Sequence, residues 1–170
     1  MRAHPVAAGY LAQGQAEASV IWDDPETGLR CKARPDWVTA EALIDLKTSA
    51  EIERRRFAAS AARLLYHCQL AFYRAGLEAA TGAEPAVKII AVEAEPPHDV
   101  AVYELDEDAL WAGRIQVGEL LARIAECRAS GLWPGRYPDE QRLGLPSWAL
   151  PDEADELVLV GLKPAKGAAA

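Results

Sequence analysis

The 170-residue sequence contains no apolar run of about 18 residues, which is the length that a membrane-spanning helix needs. Its start lacks the basic segment and apolar stretch of a secretory signal, so we expect a cytoplasmic protein with no membrane partner. The three cysteines, Cys31, Cys68 and Cys127, form no Cys-x-x-Cys pair. This spacing argues against a structural zinc site and favours buried, reduced thiols.

An excess of positive charge is also lacking, because the formal net charge is −8. This balance argues against a protein that coats nucleic acid by bulk charge. It still allows an enzyme with acidic metal ligands and a local basic groove. Arg30, Lys32, Arg34 and the arginine run at residues 54–56 are candidates for that groove, although the run is equally consistent with a solvated helix face.

Half of the residues are hydrophobic and a quarter are charged, which suits one globular domain with a sizeable core. Hydrophobic periodicity predicts an α/β fold of the α+β mixed-sheet type, with the order α-β-β-β-α-β-β-α. We expect the first three strands to form an antiparallel meander. The elements are predicted over residues 4–13, 16–23, 29–38, 42–47, 48–81, 87–93, 100–105 and 107–129.

Three residues mark the predicted ends of helices. Pro5 suits the first helical turn, Gly82 should end the long helical region, and Asp106 should cap the last helix. We expect the long helical region to be broken near residues 57–60.

Two acidic residues and a lysine lie close together in the predicted hairpin of residues 29–47. On a period of two, Asp45 and Lys47 share one face of their strand. A symmetric turn over residues 39–42 places Asp36 across from Asp45, with Cβ atoms about 5 Å apart. Carboxylates that close repel each other unless a cation lies between them, which predicts a metal site. The alternative is a solvated, charged strand face.

The helix after this hairpin offers two polar side chains on one face. Gln69 and Tyr73 are four residues apart, so they are neighbours on a helix surface. Both can bond a phosphate oxygen, or the lysine, without adding charge. The alternative is a core tyrosine beside a surface glutamine. His67 lies on a different face and is expected to be structural.

Together these residues resemble the PD-(D/E)xK nuclease superfamily, and within it the RecE (exonuclease VIII) nuclease domain of phages and prophages. The resemblance covers about residues 3–149, and its order and spacing are more specific than any one motif. The matching segments are residues 19–22, 27–36, 44–48, 66–73 and 145–149.

This resemblance implies a restriction-endonuclease-like core and a Mg²⁺-dependent deoxyribonuclease, with Mn²⁺ as a substitute. Such an exonuclease degrades linear double-stranded DNA from 5′ to 3′ and leaves 3′ single-stranded overhangs for recombination. The implied partners are double-stranded DNA ends, a RecT-like single-strand annealing protein and further copies of the chain in a homo-oligomer. The implied compartment is the cytoplasm of a bacterium or a phage-infected host.

The resemblance also implies roles for individual residues. Asp36, Asp45 and the main-chain carbonyl of Leu46 correspond to metal ligands, and Glu17 matches a further acidic position that we include among them. Lys47 corresponds to the lysine that orients or activates the attacking water.

Further residues are expected to support the site or to contact the substrate. Gln69 and Tyr73 correspond to residues that support the catalytic centre and the DNA backbone. We expect DNA contacts from Lys32, Arg34, Thr48 and Arg54.

We expect the nuclease domain to cover residues 1–149 and to be N-terminally truncated, with a partly disordered tail over 150–170. Relatives carry an earlier helical segment with a metal-binding histidine, and His4 lies in the wrong context to replace it. Two alternatives stay open, namely a catalytically incomplete domain that binds DNA ends and another PD-(D/E)xK nuclease, such as an endonuclease. An iron–sulphur relative is disfavoured because four clustered cysteines are lacking.

Overall fold

A computed structural model describes residues 3–150 of the chain, and these residues contain seven strands, four α-helices and a short 3₁₀ helix. The elements are α1 (Pro5–Tyr10), β1 (Gln15–Ala16), β2 (Val20–Asp23), β3 (Arg30–Ala33), β4 (Trp37–Val38), β5 (Ala42–Ser49), α2 (Arg54–Arg63), α3 (Tyr66–Thr81), β6 (Ala86–Glu93), β7 (Val100–Glu104), α4 (Glu107–Ser130) and the 3₁₀ helix (Ser147–Ala149). The chain divides after Leu132 into two units, and all strands and α-helices belong to the first. The predicted domain end at residue 149 stays a prediction, and residues 151–170 of the predicted tail lie outside the described residues.

Five strands form a mixed sheet in the order β1-β4-β5-β6-β7. β5 and β6 run parallel, whereas the other neighbouring pairs are antiparallel. The chain passes from β5 to β6 through α2 and α3, because a parallel pair requires a long crossover connection. The predicted α/β fold with a mixed sheet and flanking helices is therefore confirmed.

The predicted three-strand meander is wrong. β2 and β3 pair only with each other, as a separate two-stranded sheet, whereas β4 pairs with β5. The predicted strand over residues 29–38 is interrupted at residues 34–36, so its two halves belong to different sheets. Pro35 lacks the N–H that a strand ladder uses, which explains why the strand stops there.

The break in the long helical region lies at Leu64 and Leu65, later than the predicted residues 57–60. Leu65 adopts a left-handed conformation with a φ of 57°, through which a right-handed helix cannot continue. Gly82, with a φ of 73°, ends α3 as predicted. Asp106 caps α4 as predicted, since its Oδ1 accepts the N–H of Ala109 at 2.8 Å.

Both faces of the five-stranded sheet carry apolar side chains, because successive strand residues point to opposite sides. On the face that α2 and α3 cover, Leu43, Val87 and Ile89 pack with residues of the two helices. The opposite face packs Ile44 and Ile90 against Ala7 of α1. The predicted site residues Asp45 and Lys47 share the first of these faces with Leu43.

The separate β2–β3 hairpin packs against α3. The rings of Trp22 and Phe72 have centroids 4.7 Å apart. Gly76 of α3 permits this contact, because a Cβ at that position would lie 2.6 Å from the Trp22 ring. The glycine therefore sets how closely the hairpin approaches the helix.

The predicted last helix extends from Glu107 to Ser130, close to its expected bounds. Of its apolar residues, Leu110 is buried, but Ile115, Leu120 and Ile124 remain between 42% and 51% exposed. No helix in the described part of the chain is long and apolar enough to cross a membrane.

Candidate active site

Asp36 and Asp45 lie where the β4–β5 hairpin opens. Trp37 is paired with Ile44, and one further step of the same register brings Asp36 opposite Asp45. β4 begins at Trp37, so among the described residues β5 has no strand partner beyond Asp45 on the side of β4. The backbone N–H of Leu46 instead donates a hydrogen bond to the Asp36 Oδ2 at 2.7 Å. The side chain of Asp36 is thereby fixed against the backbone that carries Asp45.

Asp45 is the one charged residue between positions 3 and 150 that is buried, with 1% exposure. Burial raises the pKa of the Asp45 carboxyl, the close contact with Lys47 and its positive charge lower that pKa, and the nearby charge of Asp36 raises it. The Lys47 Nζ lies 2.6 Å from the Asp45 Oδ2. The local environment thus favours additional positive charge beside Asp45.

Two residues in the first turn of α3 contact the ammonium group of Lys47, and a third residue of the same helix contacts one of them. The Lys47 Nζ donates a hydrogen bond to the Gln69 Oε1 at 3.0 Å, and the Gln69 Nε2 donates to the Tyr73 hydroxyl at 3.2 Å. The ring centroid of Tyr66 lies 4.6 Å from the same Nζ, within the range of a cation–π contact. These contacts, together with Asp45, hold the ammonium group in one place.

Tyr66 is a site residue that the sequence reasoning missed. Its signal was present, since Tyr66, Gln69 and Tyr73 are separated by three and four residues and therefore share one helix face. The His67 Nε2 lies 3.5 Å from the Cys68 Sγ. The structural role expected for His67 stays a prediction.

The donor groups at this point suit a hard divalent cation. The Asp45 Oδ2 accepts no well-formed hydrogen bond from the described residues, so its contact with Lys47 is chiefly ionic. Asp36 and the carbonyl of Leu46 supply further oxygen atoms nearby. In residues 3–150 no three acidic, histidine or cysteine side chains converge into a metal-binding group. Mg²⁺ is often held by only one or two carboxylates, with waters and substrate phosphates completing its shell, so the residues fit such an ion.

Glu17 contacts this site through its backbone, while its side chain pairs elsewhere. Its N–H donates to the carbonyl of Asp36 at 2.9 Å, and its carboxylate forms an ion pair with Arg34. Glu17 also adopts a φ of 49°, which is uncommon for a residue other than glycine. The predicted role of Glu17 as a metal ligand stays a prediction.

The four residues predicted to contact DNA lie on different elements. Lys32 is exposed on the separate β2–β3 hairpin, and Arg34 follows that hairpin. Thr48 is exposed next to Lys47 in β5, and Arg54 is the exposed first residue of α2. Their contacts with DNA stay predictions.

The class of PD-(D/E)xK proteins is defined by the arrangement seen here. It comprises the buried Asp45, Asp36 across the hairpin from it, and Lys47 two residues after Asp45. Residues 1–140 match the family described as PDDEXK-like domain of unknown function (DUF3799), and the chain belongs to that family. The resemblance to the superfamily is thereby confirmed. No curated protein sequence matches the chain.

A solved structure shares this fold, and another superimposes less well. A crystal structure of a candidate exonuclease from Eubacterium rectale superimposes with a TM-score of 0.59 at 16% identity, over 85% of this chain and 62% of the other. An alkaline exonuclease from Laribacter hongkongensis superimposes with a TM-score of 0.33 at 13% identity, over 76% of this chain and 71% of the other. The first similarity establishes a shared fold, and this chain spans less than two thirds of that protein. The second similarity is too low to carry an inference.

Proposed function

We propose that the chain is a metal-dependent deoxyribonuclease, and specifically a 5′-to-3′ exonuclease that converts linear double-stranded DNA into 3′ overhangs. One observation carries the proposal: a buried Asp45 is paired with Lys47 beside a second carboxylate, in a member of a PDDEXK-like family. The structural similarity to a candidate exonuclease supports the choice of reaction.

Asp36, Asp45 and the Leu46 carbonyl would hold the cation, which we take to be Mg²⁺ with Mn²⁺ as a substitute. A bound divalent cation lowers the pKa of its water and offsets negative charge on the phosphate. Lys47 donates hydrogen bonds towards the attacking water and the phosphate oxygens, where negative charge develops. Asp45, Gln69 and Tyr66 fix its ammonium group, so little reorganisation is needed during the reaction.

DNA ends are the proposed substrate. Since the chain carries a formal net charge of −8, local positive charge rather than overall charge would hold the DNA. The proposed contacts with the DNA backbone are Lys32, Arg34, Thr48 and Arg54, each within seven residues of the acidic pair or of Lys47. A RecT-like annealing protein and further copies of the chain are proposed partners.

The test compares 5′-phosphorylated linear duplex with circular duplex, in Mg²⁺ or in EDTA. We expect loss of linear DNA in Mg²⁺ alone, and we expect Asp36→Asn to abolish it. Asp36 is preferred over Lys47 for this test, because removing Lys47 would leave the buried charge of Asp45 unpaired and unfold part of the population. Normal digestion of linear duplex by Asp36→Asn would contradict the proposal.

A second candidate is a DNA-end-binding domain that does not cut. The observation in its favour is that, within the described residues, no third acidic or histidine side chain joins the two aspartates. The same assay separates the candidates. Binding of linear DNA by the protein without digestion supports the binding domain. Nicking of circular DNA supports an endonuclease.

A further inference from the structure

A cavity of about 460 Å³ lies beside the acid–lysine site. Its volume is within the usual range of small-ligand pockets. Phe57, Ile89 and Tyr103 form apolar parts of its wall, and Tyr66 lines it as well. Because the Tyr66 ring also contacts Lys47, this ring adjoins both the cavity and the proposed catalytic centre.

The aromatic part of this wall is held rigidly. The rings of Phe57 and Tyr103 stack with centroids 5.2 Å apart and planes inclined by 17°. The Tyr66 ring lies 6.3 Å from Phe57, and the Tyr103 hydroxyl donates a hydrogen bond to the carbonyl of Ile52. Tyr66 and Tyr103 are only half-buried, so they present ring surface to the cavity. Such a wall suits a planar, apolar-faced ligand.

The sheet fixes how far the cavity lies from the catalytic carboxylate. Asp45 is paired with Ile89, and Ile89 with Tyr103, so the three side chains form one row across β5, β6 and β7. Neighbouring strands are about 4.8 Å apart, which places Tyr103 roughly 10 Å from Asp45. A single nucleotide spans this interval from its phosphate to its base.

The charges that line the cavity select between the parts of a nucleotide. Asp106 contributes a carboxylate, and Arg54 contributes the one basic side chain that is always charged, whereas the carboxylate of Glu104 pairs with Lys88 on the opposite face of the sheet. Asp106 also caps α4, so its carboxylate is fixed in place. The two charges of the lining balance, so the cavity offers a phosphate no excess positive charge and suits an uncharged base.

We propose that the cavity receives the nucleobase of the nucleotide whose phosphate lies at Asp45 and Lys47. This proposal rests on the proposed function, since it takes DNA as the ligand. Bases stack on aromatic side chains whatever their identity, so the pocket would hold the strand without selecting a sequence. Arg54, at the start of α2, then lies where it can meet an adjacent phosphate.

The test blocks the cavity from an exposed helix position. Ala58 of α2 lines the cavity, and its neighbour Ala59 does not, although both are exposed. Ala58→Trp therefore fills the pocket, and Ala59→Trp is the matched control. Affinity for a labelled duplex end is measured by fluorescence anisotropy with Ca²⁺, using normal ends and ends with a base-free residue at each of the first few 5′ positions.

We expect the base-free residue to weaken wild-type binding by about tenfold at one position. Ala58→Trp should weaken binding of the normal end by a similar factor and show no further loss with the base-free end. Ala59→Trp should behave as the wild type. Equal affinity of wild type for normal and base-free ends, or an undiminished base-free penalty in Ala58→Trp, overturns the proposal.

Cleavage of linear duplex in Mg²⁺, measured on the same proteins, separates this proposal from the proposed function. Cleavage without any base-free penalty contradicts the base pocket and leaves the nuclease in place. If the base-free residue weakens binding by the wild type but not by Ala58→Trp, and the wild type does not cleave DNA, the result supports the base pocket and contradicts the nuclease. Absence of both binding and cleavage contradicts the two together.

Discussion

Ile44 and Asp45 are adjacent in β5 and equally buried, with 0% and 1% exposure, yet they lie on opposite faces of the sheet. Ile44 packs into an apolar core with Ala7 and Ile90. Asp45 lies between the apolar side chains of the other face and the ammonium group of Lys47. The face of β5 that carries Ile44 serves only to pack the core. The face that carries Asp45 contains a buried charge that core packing does not require.

The difference shows where stability and function separate in this fold. Burying an isoleucine side chain contributes about 1.5–3 kcal/mol to folding. Burying a carboxylate costs free energy, which an ion pair offsets only in part. A charged residue persists at position 45 in spite of that cost, which is expected of a residue kept for its chemistry.

The largest expected effect is that of Asp45→Asn on cleavage. We expect a loss on the order of 10³-fold or more, because a charged oxygen ligand beside the phosphate is removed. The free energy of unfolding in EDTA should stay within about 1 kcal/mol of the wild type, since the amide fills the same volume without a buried charge. Nucleotide release from linear duplex and urea unfolding measure the two quantities. Cleavage at near wild-type rate would remove Asp45 from the proposed site.

Ile44→Ala should show the opposite pattern. We expect the free energy of unfolding to fall by about 2–5 kcal/mol, because a buried cavity is created in the core on the α1 side. Cleavage per folded molecule should be retained, since Ile44 faces away from Lys47. Ile44→Val, with an expected cost of about 0.5–1.5 kcal/mol, serves as the milder variant if the alanine protein does not fold. A loss of cleavage by folded Ile44→Val would break the distinction between the two faces.

Gln69→Leu tests whether the helix positions the lysine. We expect kcat to fall about 10- to 100-fold with little change in KM, because Gln69 holds the ammonium group of Lys47 through a hydrogen bond of 3.0 Å. Tyr73→Phe removes only the outer hydrogen bond of the same chain and should cost less. Steady-state cleavage of linear duplex separates kcat from KM. A larger effect from Tyr73→Phe than from Gln69→Leu would contradict this order of contacts.

The parts of the site that follow from local periodicity were accessible from the sequence. Asp45 and Lys47 share a face because strand side chains alternate, and Gln69 and Tyr73 share one because of the helical repeat. The structure brings these four residues into one network. Their catalytic roles stay predictions.

The parts that depend on tertiary contacts were not accessible. Pro35 was a local signal of a break that the strand prediction overlooked, but only the pairing shows that β3 and β4 belong to different sheets. No glycine or proline marks the helix break at Leu65, whose left-handed backbone is held by the surrounding structure. The pairing of Glu17 with Arg34 likewise depends on how β1 meets the chain before β4.

Two glycines of α4 provide the smallest expected effects and a matched pair. A Cβ at Gly113 would overlap the carbonyl oxygen of His67 in α3, whereas a Cβ at Gly118 would meet nothing within 4 Å. Gly113→Ala should lower the free energy of unfolding by about 1–3 kcal/mol, because the two helices must move apart. Gly118→Ala should raise it by up to about 1 kcal/mol through helix propensity. Urea unfolding of both variants measures the difference.

The same pair relates helix packing to the face that carries Asp45. His67 lies two residues before Gln69 in α3, so a displacement at Gly113 is transmitted to the group that holds Lys47. We therefore expect Gly113→Ala to lower kcat modestly, and Gly118→Ala to leave it unchanged. Equal kcat values for the two variants would mean that the position of Lys47 depends on β5 and Asp45 rather than on the helix layer above them.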